Sequence, residues 1–338
     1  MNDTSQLINM QSHDYHIKDF QFDSRQSLAN LKLHYLTLGT PKENAAGAIT
    51  NGVLLIHNTT GSAQSWLQPS LGGELFGTDQ PLDLSKYFVI IPDALGFGNS
   101  SKPSDGLQAA FPNYRYSDMV RSIHQLLTED LGIHHLNLIL GISMGGMLAW
   151  IWAETYPDFA DIIVPIACQP GPMSGRNWLQ RRIAIEAIKN DPGWQEGNYQ
   201  VNPSHYLVTA PYSALLTQSV VHLQERAPTR QAADEFYNEL VEGARAADAN
   251  NRIYQIEASM DYNPSANLDK ITAKILLINF ADDQLNPPEL GVVEPAIAII
   301  PQATFILIPA SPDTRGHFTN SMASMWKKYL EDYLLNLD

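Results

Sequence analysis

A serine lies at the centre of the sequence GISMG, residues 141–145, between two apolar segments. The strand-like run LNLIL precedes this motif and the helix-like run GMLAWIWAETYP follows it, so the chain must turn sharply at Ser143. Such a turn strains the serine backbone and raises its hydroxyl above the sheet, while the flanking glycines prevent a collision with neighbouring backbone. The motif therefore predicts that Ser143 is the nucleophile of an acyl-transfer reaction.

A serine hydroxyl is a weak nucleophile unless a histidine takes its proton and a carboxylate orients that histidine. His317 is the only one of the ten histidines between the last predicted strand, TFILIP, and the last predicted helix, and it is the candidate base. Asp282 and Asp283 follow the strand KILLINF. Only one of these adjacent carboxylates can bind the imidazole, and the other is expected to cap a helix or shape the turn.

The negative charge that develops on an attacked carbonyl needs backbone N–H donors. The N–H of Met144 is one candidate, because it lies at the start of the helix that follows the serine. The second donor should come from the loop HNTTG, residues 57–61, and Thr59 is the residue that we expect to supply it. His57 is expected to pack under this loop and hold it in place.

The elements that must position these residues are short buried strands alternating with helices, which is typical of a mostly parallel, doubly wound sheet. Two further segments, HDYHIKDFQF and NLKLHYLTLG, predict an antiparallel hairpin at one edge. Helical periodicity covers residues 116–131 and the C-terminal stretch from Met322 to Leu334. With the nucleophile turn, this order predicts an α/β-hydrolase fold. The six predicted parallel strands are VLLIHN, YFVIIPD, LNLILG, DIIVPIA, KILLINF and TFILIP.

The alternation stops between about Gly171 and Pro264, where helical, aromatic and charged segments predict an inserted helical lid. The expected organisation is a first core part over 1–170, the lid over 171–264 and a second core part over 265–338. Several apolar side chains of this region could line an acyl pocket or form the lid's own core. They are Met173, Trp178, Trp194, Tyr206, Tyr212 and Leu215.

The chain has 338 residues, a formal net charge of −15 and a pI near 5.0, without a Lys/Arg run. We therefore expect a small-molecule partner rather than nucleic acid or a membrane surface. The single cysteine, Cys168, lies in an apolar run and is expected to be a buried core residue. No closely spaced ligand set predicts a metal, and no cofactor is expected. The N-terminal sequence lacks signal-peptide features, which predicts a cytoplasmic protein unless an export signal has been removed.

The segments HNTTGSAQSW, IPDALGFGNSSKPS, GISMGGMLAW, RRIAIEAIKNDPGWQEGNY, ADDQLNPPE and TRGH resemble the homoserine O-acetyltransferase family and its hydrolase-like relatives. The resemblance covers nearly the whole chain. It implies that Ser143 is the nucleophile, Asp283 rather than Asp282 the acid, His317 the base and Thr59 an oxyanion donor. It also implies a homodimer that associates through the helical lids.

One departure from that family bears on the substrate. Family members that acetylate homoserine have a lid arginine for its carboxylate, and the comparable stretch HYLVTAPYSALLTQSV contains none. Five arginines lie nearby in sequence, namely Arg176, Arg181, Arg182, Arg226 and Arg230. Those of RRIAIEAIK, Arg181 and Arg182, fall at the polar edge of an amphipathic helix and are expected to be solvated. We therefore expect a carboxylic-ester hydrolase, with an acyl-CoA-dependent O-acyltransferase as the alternative. A non-catalytic binding protein would be signalled by loss of a triad residue, and none is lost.

Overall fold

The computed structural model describes residues 9–337, in which eight strands form one sheet in the order β1-β2-β4-β3-β5-β6-β7-β8. Residues 1–8, on which the prediction about an export signal partly rests, lie outside the described range. The strands are β1 (Gln11–Gln21), β2 (Ser27–Leu38), β3 (Gly52–Ile56), β4 (Phe88–Pro92), β5 (Leu136–Ile142), β6 (Ala160–Ile166), β7 (Lys274–Phe280) and β8 (Ala303–Ile308).

The sheet is parallel from β4 to β8 and ends in the antiparallel pair β1–β2, as the sequence predicts. Its central strands are covered on both faces, and alternate residues of one strand enter different cores. In β3, Leu54 and Ile56 pack into one hydrophobic cluster, whereas Val53 and Leu55 pack into the other. This two-sided burial explains why the strands are continuous apolar runs in the sequence.

Helices cover both faces of the sheet. The cluster that contains Leu54 also contains residues of α2 and α3, and the opposite cluster contains residues of α1 and α10. The helices are α1 (Gly72–Leu75), α2 (Tyr116–Gln125), α3 (Met144–Thr155), α4 (Gly175–Lys189), α5 (Thr209–Thr217), α6 (Val220–Arg226), α7 (Arg230–Ala244), α8 (Ala249–Glu257), α9 (Val293–Ile297) and α10 (Lys327–Leu335). No helix within residues 9–337 is long and apolar enough to cross a membrane.

The last helix begins later than the periodicity from Met322 onward predicts. It starts at Lys327, and short 3-10 turns occupy Gly316–Ser321 and Ala323–Met325. Tertiary hydrogen bonds hold these turns: the N–H of Ala323 donates to the carbonyl of Ser70 at 2.8 Å, and the Trp326 indole donates to the carbonyl of Asn320 at 3.0 Å. These tertiary hydrogen bonds therefore override the helical periodicity of the sequence next to the loop that carries His317.

The stretch predicted to be a helical insertion contains α4 to α8, which we call the helical segment (residues 175–257). It has hydrophobic clusters of its own. Tyr206 is buried in one of them and Trp194 packs against it, while Trp178 packs against Ala184, Ile185 and Ile256. These aromatic side chains thus serve as core of the segment, and its division from the rest of the chain at 171 and 264 stays a prediction.

Candidate active site

Ser143 lies between β5 and α3 in a backbone conformation that L-residues rarely adopt. Its φ is 55° and its ψ is −113°, a strain on the order of 1–3 kcal/mol. The N–H of Ser143 donates to the carbonyl of Ile166 on β6 at 2.8 Å, which fixes the turn. A Cβ at Gly145 would overlap the carbonyl of Ile56, and a Cβ at Gly141 would overlap that of Gly145. The two glycines therefore allow the close approach that this turn requires.

Three side chains from different loops form a continuous line of hydrogen bonds. The Ser143 Oγ lies 2.8 Å from His317 Nε2, and His317 Nδ1 lies 2.7 Å from an oxygen of Asp283. Because an ionised carboxylate only accepts, Nδ1 carries the proton and Nε2 is free to accept from the serine hydroxyl. The exposed fractions are 7% for Ser143, 9% for His317 and 1% for Asp283, so all three residues are almost fully buried.

Asp283 is prepared for this contact by several donors. The N–H groups of Leu285 and Asn286 donate to one carboxylate oxygen at 2.8 and 3.2 Å, and the Asn286 amide donates to the other at 3.0 Å. Burial acts to raise the pKa of Asp283, but His317 and these donors outweigh it and hold the pKa below its ordinary value. The carboxylate is therefore charged at neutral pH.

Asn286 is a supporting residue that the sequence reasoning missed. Its side-chain amide donates to the Ala167 carbonyl at 3.0 Å as well as to Asp283, so it connects the loop of Asp283 to the end of β6. The signal that could have revealed it is its place three residues after Asp283, in the same loop.

Asp282 points to different partners from those of its neighbour. One of its oxygens accepts hydrogen bonds from the Thr314 hydroxyl at 2.8 Å and from the N–H of Gly316 at 3.0 Å. It thereby connects the β7 loop to the loop that precedes His317. The adjacent aspartates therefore have different partners. Asp283 accepts a hydrogen bond from the imidazole of His317, whereas Asp282 accepts from the loop that precedes His317.

The two expected oxyanion donors lie on loops that meet. Met144 is the first residue of α3, where N–H groups have no partner within the helix. The first turn of α3 packs on the end of β3, because Gly145 lies against the carbonyls of Ile56 and His57. The loop that contains Thr59 starts at that point. The role of Thr59 and Met144 as oxyanion donors stays a prediction.

His57 is fully buried and bound at both ring nitrogens. Nε2 accepts from the N–H of Ala94 at 3.1 Å, so Nδ1 is the protonated nitrogen, and it donates to the Asn58 carbonyl at 2.7 Å. Burial lowers the pKa of His57, which keeps the ring neutral. In a trans peptide the Asn58 carbonyl and the Thr59 N–H point in opposite directions, so His57 fixes the direction of that N–H.

Two open cavities lie beside the loops that carry Asp283 and His317. One, of about 540 Å³, is lined by Asp282, Asp283 and residues of α6. The other, of about 310 Å³, is lined by Arg315, Phe318, Ser321 and neighbouring side chains. Ser321 also contacts Asn58, with 3.4 Å between its Oγ and the Asn58 amide nitrogen. The smaller cavity therefore lies next to the loop that contains Asn58 and Thr59.

The arginines of the helical segment differ in their surroundings. Arg182 is exposed and pairs with Glu186, as expected for the polar edge of a helix. Arg181, only 9% exposed, lies on the buried side of α4 beside Ala184 and Ile185. The prediction of a solvated Arg181 is wrong, because packing against α8 covers that side of the helix.

Residues 52–314 match the family described as the alpha/beta hydrolase fold, and the chain belongs to that family. It is 28% identical to a "Probable acyltransferase" of Methanothermobacter thermautotrophicus, over 87% of this chain and 89% of the relative. It is 34% identical to a "Homoserine O-acetyltransferase" of Geotalea daltonii, over 57% of this chain and 55% of the relative. The resemblance drawn from the sequence motifs is therefore confirmed.

Solved structures give the same class. An acetyl esterase, MekB, is 25% identical with a TM-score of 0.80, covering 96% of this chain and 97% of its own. The homoserine O-acetyltransferase from Bacillus anthracis is 20% identical, with a TM-score of 0.83 over 96% and 97% of the two chains, which shows a shared fold. The protein is an enzyme of the α/β-hydrolase type, and its relatives include esterases and acyltransferases.

Proposed function

We propose that this protein is a serine esterase that cleaves carboxylic esters through an acyl-enzyme on Ser143. The Ser143 oxygen attacks the ester carbonyl while His317 Nε2 takes the hydroxyl proton. The tetrahedral intermediate collapses, and His317 returns the proton to the departing alcohol. A water molecule then releases the acid by the same steps, with Asp283 stabilising the imidazolium each time.

The observation that carries this proposal is the line of hydrogen bonds from Ser143 through His317 to Asp283, with distances of 2.8 and 2.7 Å. The proposed nucleophile, base and orienting acid are within hydrogen-bond distance of one another. We further propose that the N–H groups of Thr59 and Met144 bind the oxyanion. Loss of one such donor typically costs about 3 kcal/mol of transition-state stabilisation.

We propose that the helical segment acts as a lid on this site. It contacts the loop that carries the base: the Ser219 hydroxyl donates to the Thr314 carbonyl at 3.2 Å, and Gly316 packs against the backbone of Gln218 and Ser219. Movement of α5 and α6 would therefore displace the loop that carries His317.

Hydrolysis is favoured over acyl transfer by the composition of α5. Transfer to homoserine requires an anchor for the acceptor's carboxylate and exclusion of water. Helix α5, with the sequence TAPYSALLT, carries no arginine or lysine. An acyl-CoA-dependent O-acyltransferase is the second candidate, and the names of the acyltransferase relatives are what support it.

The test compares initial rates on p-nitrophenyl acetate and butyrate, with and without homoserine, with thiol release from acetyl-CoA plus homoserine. Ser143→Ala serves as the blank. We expect steady ester turnover that the variant lacks, and no homoserine-dependent thiol release. Homoserine-dependent release from acetyl-CoA would instead establish the acyltransferase, and ester turnover retained in Ser143→Ala would refute the nucleophile assignment.

A further inference from the structure

The chain at the end of β6 contacts both the turn at Ser143 and the loop of Asp283. The carbonyl of Ile166 accepts a hydrogen bond from the N–H of Ser143 at 2.8 Å. The carbonyl of the next residue, Ala167, accepts from the side-chain amide of Asn286 at 3.0 Å, and the same amide donates to Asp283 at 3.0 Å. Two consecutive peptide groups therefore connect the turn at Ser143 to the loop of Asp283.

Ala167 has a backbone conformation that is costly for a residue with a side chain. Its φ is 55°, in the left-handed region that favours glycine. Such a conformation persists only where the surrounding contacts hold it. If Ala167 relaxed to a negative φ, its carbonyl would turn away from Asn286, and the connection between β6 and the loop of Asp283 would be lost.

Asn279 of β7 supplies contacts that hold this conformation. Its side-chain oxygen accepts from the N–H of Cys168 at 3.1 Å, and its side-chain nitrogen donates to the carbonyl of Cys168 at 3.0 Å. Asn279 is 2% exposed, so water cannot readily replace either hydrogen bond. On the other side of Ala167, its own N–H donates to the carbonyl of Ile278 at 2.9 Å. The backbone is therefore held both before and after the strained residue.

Asn279 and Asn286 bind opposite sides of one peptide group. The N–H of Cys168 belongs to the same peptide as the carbonyl of Ala167, and in a trans peptide these two groups point in opposite directions. Because Asn279 accepts from that N–H, it directs the carbonyl toward Asn286. The Asn286 amide has one proton for this carbonyl and one for Asp283, so the two acceptors fix its orientation.

We propose that Asn279 is a positioning residue for the reaction at Ser143. It holds the peptide group after Ala167, and through that group it sets the directions of Asn286 and Asp283. Its side-chain hydrogen bonds go to backbone groups alone, so it acts through other residues and does not touch the reacting atoms. This role rests on the proposed function, because it assumes that Ser143 is the activated nucleophile.

The test is a double-mutant cycle in which a glycine reduces the need for Asn279. Glycine adopts a positive φ readily, so Ala167→Gly should make the peptide less dependent on Asn279. The readout is the second-order rate at which a fluorophosphonate probe labels Ser143. In this labelling the serine oxygen displaces fluoride from phosphorus and the hydroxyl proton passes to His317. We expect Asn279→Ala to lower the rate about 10-fold alone and less than about 3-fold in the Ala167→Gly background.

Asn51→Ala is the matched control. The Asn51 side chain is also buried and also bridges backbone groups, accepting from Lys42 and donating to Thr40 and Lys86. It directly precedes β3, at the amino ends of the parallel strands, whereas the turn of the proposed nucleophile lies at their carboxyl ends. We expect a lower thermal unfolding midpoint in both Asn51→Ala and Asn279→Ala, and a labelling rate within about 2-fold of wild type in the control. If Asn279→Ala does not fold, Asn279→Ser carries the comparison.

Kinetics on p-nitrophenyl acetate keep this role separate from the esterase proposal. We expect Asn279→Ala to lower kcat with little change in KM. A wild type that is labelled but does not turn over the ester would refute the esterase, and the labelling rates would still decide the role of Asn279. That role is overturned if Asn279→Ala loses no more labelling than Asn51→Ala, or if its loss is equal in both backgrounds. A wild type that the probe does not label would overturn both proposals.

Discussion

Asp282 and Asp283 are adjacent in sequence and have different partners in the structure. Asp283 accepts the His317 Nδ1 proton, whereas Asp282 accepts from Thr314 and from the backbone of Gly316. The proposed chemistry needs a negative charge on Asp283, whereas Asp282 only has to accept hydrogen bonds. Their substitution by asparagine therefore separates orientation of the base from support of its loop.

We predict that Asp283→Asn lowers kcat by about 10³- to 10⁴-fold with little change in KM, because an amide cannot hold the reactive tautomer or stabilise the imidazolium. Asp282→Asn should lower kcat less than about 10-fold, since its amide oxygen can still accept from Thr314 and Gly316. Steady-state kinetics on p-nitrophenyl acetate measure both. Equal losses in the two variants would contradict the assignment of Asp283 as the acid.

At the scale of the elements, the position of Ser143 depends on how closely α3 approaches β3. Gly145 lies against the carbonyl of Ile56, so the helix can start directly above the carboxyl end of the strand. The register pairs Ile56 with Gly141, which places the ends of β3 and β5 at the same level. The turn at Ser143 and the loop of Thr59 therefore lie on one edge of the sheet.

We predict that Gly145→Ala destabilises the protein by about 3 kcal/mol or more, because the added methyl group would overlap backbone that cannot move aside. Gly243→Ala is the matched control: this glycine also lies in a helix, α7, and its Cβ would meet nothing within 4 Å. That change should be neutral or stabilise by about 0.5–1 kcal/mol. Urea unfolding measures both, and similar midpoints would disprove the close approach.

At the scale of the whole molecule, exposed apolar side chains occur on several helices of the helical segment. Leu179 of α4, Leu215 of α5, and Val220 and Val221 of α6 are each more than half exposed. Contiguous exposed apolar patches commonly mark contact surfaces, and α4 packs against α5. We therefore propose that the protein is a homodimer that associates through this segment.

Light scattering after gel filtration should give twice the 37.6 kDa chain mass for the wild type. Leu215→Asp should shift it toward the monomer, because a charge would be buried in the contact. Leu290→Asp is the control, since Leu290 is as exposed as Leu215, 60% in each case, but lies outside the segment. A monomeric wild type, or dissociation in both variants, would refute the proposal.

The sequence by itself determined the strands, the hairpin at the sheet edge and the turn at Ser143, because each depends on local signals. Continuous apolar runs specify strands buried on both faces, and the pattern GISMG between a strand and a helix specifies the turn at Ser143. His317 could be selected because the order of elements leaves one histidine in the last loop. These inferences depend on sequence patterns and on the order of the elements, and they do not require knowledge of contacts between distant residues.

Only the tertiary structure decided that Asn286 supports Asp283, that Arg181 is buried and that the last helix begins at Lys327. The loop residues alone left Asp282 and Asp283 open, the family resemblance favoured Asp283, and the structure brings Asp283 to His317. Adjacent residues in a loop have no fixed periodicity, so their directions follow from hydrogen bonds to distant backbone. The burial of Arg181 depends on α8, roughly seventy residues later in the chain. Such long-range packing overrides local preference, which is why the sequence pattern alone gave a solvated arginine and an earlier helix start.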